Sequence, residues 1–427
     1  MHINNGGNMK QVLIINAHSS KNKGDAAIII SMIQSLKKFI PNSEITVSSR
    51  YPEDDDIYKQ YGCNVVEQIT RFPNKDFPFL KRLLFIISEI KKVNRFVKNK
   101  QIPRGRSGDI FNAYNNADII ISCGGGFLYS HPKYHIEASL IMHLAQIYFG
   151  KKIGKKVLIY SQSIGPFNSK MSKKLANYVL RKVDKITIRE KLSKNFLEDI
   201  NILNPIVVSD SAFVMGAKEE EIKEDEAIIQ INKNYLNVGV TVRQWVFPGK
   251  ENTDYYYNKY IKSVSDAIEF LINEKNAIVY LVPQVTGPTP IEDDRISNSH
   301  ILSFLSDHAK KSVVILEKDY SPQELKAIYS KFDMFIGTRM HSNIFSLSSK
   351  VPTVAISYEP KTTGIMEKLG LSDYVININD ITSEDLKDKV LQCIHNKEDY
   401  RRALKKIIPK IVNEAEKPAY IASQLID

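Results

Sequence analysis

Long apolar runs are missing from this 427-residue chain. None approaches the ~20 residues that a membrane-spanning helix needs, so no transmembrane segment is expected. Cysteine is scarce: Cys63, Cys123 and Cys393 stand far apart, with no CxxC spacing. That excludes a disulfide framework and any recognisable zinc motif, and it fits a reducing cytoplasm. The opening residues MHINNGGNMK have no charged stretch leading into an apolar core, so no signal peptide is expected. Internal repeats and low-complexity tracts are absent. The first strand-to-helix loop is not GxGxxG and has no Walker lysine, which leaves dinucleotide or nucleoside triphosphate binding without support. Without GxSxG, a covalent serine mechanism is not expected either.

What is present reads as a soluble globular protein of two ordinary domains, consistent with an enzyme. Hydrophobic residues make up 43% and charged residues 25%, enough for a real core in each half. Lys plus Arg exceed Asp plus Glu by 59 − 48 = 11, which favours anionic partners. The excess concentrates between Lys81 and Arg106, where nine basic residues face one acid, Glu89, among interleaved apolar residues. Two readings stand: an ordinary amphipathic helix with a solvated basic face, or a helix resting on an anionic bilayer or a lipid-linked diphosphate. Nucleic acid is not expected, because no recognition module accompanies the patch.

Strands and helices alternate, as in doubly wound α/β folds. Expected strands include 12–17, 45–48, 117–122, 156–161, 185–189 and 206–209 in the first half. In the second half they are 237–242, 277–282, 313–316, a run ending at Ile336, and 354–357. A polar, acidic stretch, 218–226, separates the halves. Ser321, Pro322 and Glu324 form a helix start, with a capping hydroxyl, a first-turn proline and an early acid. The C-terminal end reads as helical and is expected to pack back across the first domain.

The richest segment runs from Gly337 to Gly370. A buried strand leads to Arg339 and His341 at a turn into a helix, and the next strand ends in Tyr358, Glu359 and Lys361. Ligands of open α/β sheets sit in the crevice outside the strands' carboxyl ends. Two cations, an imidazole and a phenol in one crevice suit a small, doubly anionic substrate on which a proton must move. Asn22-Lys23-Gly24-Asp25 joins the first strand to its helix; Asp25 either caps that helix or meets acceptor hydroxyls together with Asn22. Gly124-Gly125-Gly126 follows a strand and either admits a ligand to the backbone or serves tight packing. Ser161-Gln162-Ser163 is a polar strand end that lines a cleft or stops the strand. His131, His135 and His143 lack a completing carboxylate, so a surface or cleft-edge role is expected and no metal site.

Seven segments together resemble the polysaccharide pyruvyl transferase family: NKGDAAI (22–28), CGGGFL (123–128), SQSIGPF (161–167), ITIRE (186–190), SDSAF (209–213), VGVTVRQ (238–244) and the block 336–370. Ser211 departs from the proline often found there, a difference expected to alter a turn. The resemblance implies a GT-B-like fold, α/β with two Rossmann-type domains facing a cleft and a C-terminal helix crossing back. The expected division is 1–215 on the acceptor side, 216–395 on the donor side and 396–427 as the helical end. It implies phosphoenolpyruvate as co-substrate, a cell-surface saccharide or its lipid-linked precursor as acceptor, and no other cofactor. On this reading Arg339, Arg243 and Lys361 hold the donor, and Tyr358 and Gln284 shape its pocket. His341 is the general acid/base and Asp25 a weaker catalytic candidate, since an imidazole exchanges protons near neutral pH. Asn22, Gly125, Gly126 and Gln162 would meet the acceptor. A cytoplasmic location is expected, with the basic segment raising peripheral contact at the inner face of the membrane. Two alternatives remain: a nucleotide-sugar glycosyltransferase on the same scaffold, and a non-catalytic saccharide- or membrane-binding subunit.

Overall fold

The computed structural model describes residues 9–69, 78–99, 102, 106–130, 138–222, 231, 234–287 and 289–426. Two compact units emerge. The first comprises described residues of Met1–Ser20, Ile28–Ser211 and Glu414–Asp427; the second, of Lys21–Ala27 and Ala212–Asn413.

The first unit is built on β1 (Lys10–Ala17), β2 (Ser43–Ser49), β3 (Cys63–Glu67), β4 (Ile119–Ser122), β5 (Gly125–Leu128), β6 (Lys156–Ile164), β7 (Lys185–Ile188) and β8 (Ile206–Val207). They pair in the order β3-β2-β1-β4-β6-β7-β8, with β5 on β6, and every pairing is parallel. Val12 aligns with Ile45 on one side and Ile119 on the other, and all three are buried. Burial on both faces explains why these strands read as continuous apolar runs instead of alternating ones. The helices are α1 (Lys23–Phe39), α2 (Phe79–Asn99), α3 (Arg106–Asn116), α4 (Ala138–Lys152), α5 (Lys170–Leu180) and α6 (Lys191–Glu198). Ser169 caps α5 by accepting from the Ser172 amide. Helix α1 begins at Lys23, five residues ahead of the expected Ile28, so its first turn clusters with the second unit.

The second unit holds β9 (Leu236–Thr241), β10 (Ala277–Leu281), β11 (Val313–Ile315), β12 (Met334–Gly337), β13 (Thr353–Ser357) and β14 (Val375–Asn377). The order β11-β10-β9-β12-β13-β14, all parallel, is the 3-2-1-4-5-6 arrangement of the Rossmann fold. Its helices are α7 (Thr253–Lys275), α8 (Asp294–Phe304), α9 (Asp307–Lys310), α10 (Pro322–Tyr329), α11 (Met340–Ser348), α12 (Pro360–Lys368) and α13 (Ser383–His395). Ser321 and Glu324 form the complete capping box expected at the start of α10. The last helix, α14 (Lys397–Ile426), returns its C-terminal part to the first unit. There Glu416 pairs with Lys38 at 2.6 Å and Glu414 accepts from Ser209 Oγ at 2.9 Å. No helix among the described residues is long and apolar enough to cross a membrane.

Candidate active site

All six strands of the second sheet end at one edge, and the order reverses between β9 and β12. Such a switch point is where open α/β sheets bind ligands. Arg243 follows β9, Arg339 and His341 follow β12, Tyr358 follows β13 and Gln284 follows β10. The structure therefore brings the five to one sheet edge.

Arg339 occupies the cap position of α11, and its carbonyl accepts from the Asn343 amide and Ser342 Oγ. The turn is tight: a β-carbon at Gly337 would come 1.8 Å from Asn343 Oδ1, so only glycine fits. The Arg339 side chain meets an acid that sequence reasoning missed. Its Nε and Nη2 donate to Asp294 Oδ1 at 3.0 and 2.6 Å, and Nη2 also reaches Glu292 O at 3.1 Å. Asp294, the first residue of α8, is wholly buried and also accepts from the amides of Gln284 and Val285. Burial raises the Asp294 carboxyl pKa against the opposing charge of Arg339, with Arg243 opposing it too. Burial works most strongly to lower the Arg339 pKa, but the Asp294 charge, Tyr358, the hydrogen bond to Asp294 and Tyr260 together raise it and keep the guanidinium cationic. A buried bidentate pair fixes an arginine in one geometry. Nothing in PIEDDR distinguished Asp294, because paired acids in a polar stretch read as solvated loop.

Arg243 is held differently. Its guanidinium lies 4.2 Å from the Tyr358 ring and 4.9 Å from the Trp245 ring, and the two rings are 4.7 Å apart. Its Nε donates to Gln244 O at 3.0 Å. Among the described residues it makes no ion pair with a carboxylate. The aromatic faces orient this cation without neutralising it. Lys361 sits in the first turn of α12, 3.7 Å from Glu359. Gln284 Oε1 accepts from Tyr329 at 2.8 Å. Gln284 Nε2 and Trp245 Nε1, both buried, have no hydrogen-bond partner among the described residues. Unmatched buried donors are rare and point to an absent acceptor.

The segment Lys21–Ala27 completes this edge. Asn22 bridges to Val285, Lys23 N donates to Gln284 O at 3.3 Å, and Thr286 N to Lys21 O at 3.2 Å. Lys23 is buried and pairs with Asp319 at 2.8 Å. Asn22, not Asp25, caps α1: its Oδ1 accepts from the amides of Gly24 and Asp25, and its Nδ2 donates to Asp25 at 2.9 Å. This corrects Asp25 as the cap, and it also moves Asn22 and Asp25 away from the first domain. The glycine of the motif has its own reason. A β-carbon on Gly24 would lie 2.1 Å from His341 Nδ1, so the imidazole packs directly on the glycine backbone.

In the first unit, Gly125 and Gly126 fall within β5 rather than in an open loop, and Gly125 pairs with Gln162 on β6. Gln162 is fully buried, with neither end of its amide bonded among the described residues. ITIRE and SDSAF join through a buried ion pair, Arg189 Nη1 to Asp210 Oδ2 at 2.5 Å, with Ser163 Oγ accepting from Arg189 Nε at 2.7 Å. Of the surface or cleft-edge role expected for His143, the surface placement does not hold: it is buried, 4.4 Å from Phe127 and 5.2 Å from His18 between ring centroids. Burial, then the charge of His18, lowers its pKa to about 3. His131 and His135 lie outside the described residues. Among the described residues no group of three or more His, Cys, Asp or Glu side chains is arranged to hold a metal ion.

Comparison with known proteins places this geometry. The fold is similar to a glycosyltransferase from Rickettsia africae ESF-5, at 13% identity and TM-score 0.59, covering 98% of this chain and 99% of that one. It is equally similar to UDP-GlcNAc 2-epimerase from Neisseria meningitidis, at 13% identity and TM-score 0.59, covering 98% and 100%. At such identities these likenesses establish a GT-B-like fold and not an activity. A relative by sequence is the amylovoran biosynthesis protein AmsJ of Erwinia amylovora, 24% identical over 407 residues, 93% of this chain and 95% of that protein. The sequence model of the polysaccharide pyruvyl transferases matches residues 22–360. That span contains both arginines, the histidine and the glycine behind it, and the chain belongs to the polysaccharide pyruvyl transferase family.

Proposed function

We propose that this pyruvyl transferase takes its three-carbon unit from phosphoenolpyruvate and places it on two hydroxyls of a hexose, forming a cyclic ketal and releasing phosphate. The acceptor is a cell-surface polysaccharide or its lipid-linked precursor. The observation that carries the donor assignment is the charge at the sheet edge: Arg339 is paired with the buried carboxylate of Asp294, while Arg243 at the same edge makes no ion pair with a carboxylate among the described residues. That leaves one uncompensated cation beside two unmatched donors, Gln284 Nε2 and Trp245 Nε1. A small ligand bearing a carboxylate and a phosphate answers both deficits.

In the reaction, a proton adds to the methylene carbon of phosphoenolpyruvate and an acceptor hydroxyl attacks C2, losing its proton. The C2–O bond to phosphate then breaks, the phosphate leaving with the bond's electron pair. A second hydroxyl closes the ring on C2 and gives up its own proton; of the two hydroxyl protons released, one replaces the proton spent on the methylene carbon and the other goes to the departing phosphate. His341, seated on Gly24 at the start of α11, is the group that moves a proton at this edge. Arg339, with Nε and Nη2 turned to Asp294 and Glu292, keeps its Nη1 hydrogens for the donor. Arg243 supplies the uncompensated charge, and Lys361 adds a point charge tempered by Glu359. Asp25 holds the Asn22 amide, so the pair orients an acceptor hydroxyl together. The scheme uses no metal and no further cofactor. The relative named for amylovoran biosynthesis supports a biosynthetic role on a saccharide.

The test is incubation with phosphoenolpyruvate and a panel of galactosides, glucosides and amino-sugar glycosides, followed by mass spectrometry and phosphate release. An acid-labile adduct matched by phosphate supports the proposal. Absence of phosphoenolpyruvate binding, together with binding of a nucleoside diphosphate, would replace it with glycosyl transfer.

A further inference from the structure

The segment Lys81–Arg106 takes no part in the site above, and most of it forms α2, with Lys100 and Arg104 outside the described residues. The helix is anchored at its C-terminal half. Phe96 is wholly buried, its ring 4.9 Å from Phe111 on α3 and 5.7 Å from Phe149 on α4. At 3.6 residues per turn, Leu80, Leu84, Ile87, Lys91, Arg95 and Lys98 all fall within about 80° of arc, with Phe96 well round to the other side. This outer face does not follow the usual division between apolar core and polar solvent. Leu80 is 67% exposed, Leu84 59% and Ile87 39%, while Lys91, Arg95 and Lys98 are exposed on the turns that follow. An ordinary surface helix turns its leucines inward. Here a two-turn apolar stripe faces out and runs straight into a cationic one.

We infer that α2 docks the protein on an anionic bilayer. Leu80, Leu84 and Ile87 enter the boundary between headgroups and acyl chains, and Lys91, Arg95 and Lys98 pair with lipid phosphates. Charge complementarity selects this occupant: cations lie along the same face as the apolar stripe, and basic residues near an anionic leaflet add their attraction to apolar burial. A second copy of the chain fits less well, because it would bring two identical rows of cations together. The inference is independent of the pyruvyl chemistry, so failure of the reaction assay leaves it standing, and the reverse also holds.

The experiment is flotation of the full-length protein with vesicles of neutral phosphatidylcholine, and with vesicles containing about one-third phosphatidylglycerol. Binding to the anionic vesicles is expected to exceed binding to neutral ones by about ten-fold and to fall with added salt. The combined variant Leu80→Ser, Leu84→Ser, Ile87→Ser should lose most of that binding while keeping its melting temperature and helical content. So should Lys91→Glu, Arg95→Glu, Lys98→Glu. Equal binding to both vesicle types, binding unchanged in both folded variants, or no binding at all would each overturn the inference. A concentration-dependent dimer that the serine variant abolishes, without lipid binding, would overturn it in favour of self-association.

Discussion

Each unit presents an arginine near the end of a strand and joins it to a buried aspartate, yet the two pairs differ in what surrounds them. In the first unit Arg189 meets Asp210, with Glu190 also 3.5 Å away: one guanidinium among two carboxylates. In the second unit Arg339 pairs with Asp294, and Arg243 at the same sheet edge makes no ion pair with a carboxylate among the described residues. The first guanidinium already faces two carboxylates. The second cluster has a cation to spare. An arginine at a strand end is therefore not a binding site in itself; the balance of buried charge around it decides.

The comparison is most sharply broken by removing the acids. Asp294→Ala takes the carboxylate away from the buried Arg339 guanidinium and is expected to lower stability by about 3–5 kcal/mol, whereas Asp210→Ala, which keeps Glu190 beside Arg189, should cost less. Denaturant unfolding reads that loss, with both variants then assayed for phosphoenolpyruvate binding at a temperature where they remain folded. Only Asp294→Ala should change donor affinity; an equal change in both would erase the distinction drawn here. Next in size is His341→Ala, expected to reduce phosphate release about 10²–10⁴-fold while calorimetry shows donor binding nearly intact. Loss of binding instead would make His341 a donor ligand. Gly24→Ala pushes a methyl group into the imidazole, and displacement of that kind should cost about 10²-fold in turnover with little change in KM. Retention of full turnover would show that the His341 position at Gly24 is not the reacting one. Smallest is Arg243→Ala, which removes charged hydrogen bonds worth about 1.5–3 kcal/mol and should weaken the donor about 10–100-fold. Arg189→Lys, tested in parallel, should leave donor affinity unchanged.

Much of the architecture was legible because buried parallel strands are written as apolar runs. Nearly every such run of the second half became a strand within a residue or two of its expected bounds. The three strands that were missed are the polar CNVVE (Cys63–Glu67), the glycine-led GGFL (Gly125–Leu128) and the three-residue VIN (Val375–Asn377), none of which carries a long apolar signal. Arg243, Arg339, His341, Tyr358 and Gln284 could be placed at strand ends from sequence, and the structure sets the five at one sheet edge; their roles belong to the proposal. Asp294 and the packing of Gly24 on His341 were not legible in sequence, since each partner lies far away in the chain and local pattern says nothing about distant contacts.

The chain's own residues determined two parallel-sheet units, the strand ends that carry polar side chains, and a family signature spread from Asn22 to Gly370. Hydrophobic burial and turn chemistry are local in sequence, and they need only neighbours to be read. Tertiary structure alone decided which arginine is neutralised and which is not, and that the loop at Asn22 clusters with the second unit. It also decided that the outer face of α2 carries leucines where solvent was expected. Each of these depends on charges and surfaces meeting across long stretches of chain, where desolvation and Coulomb energy act through space and leave no periodic trace.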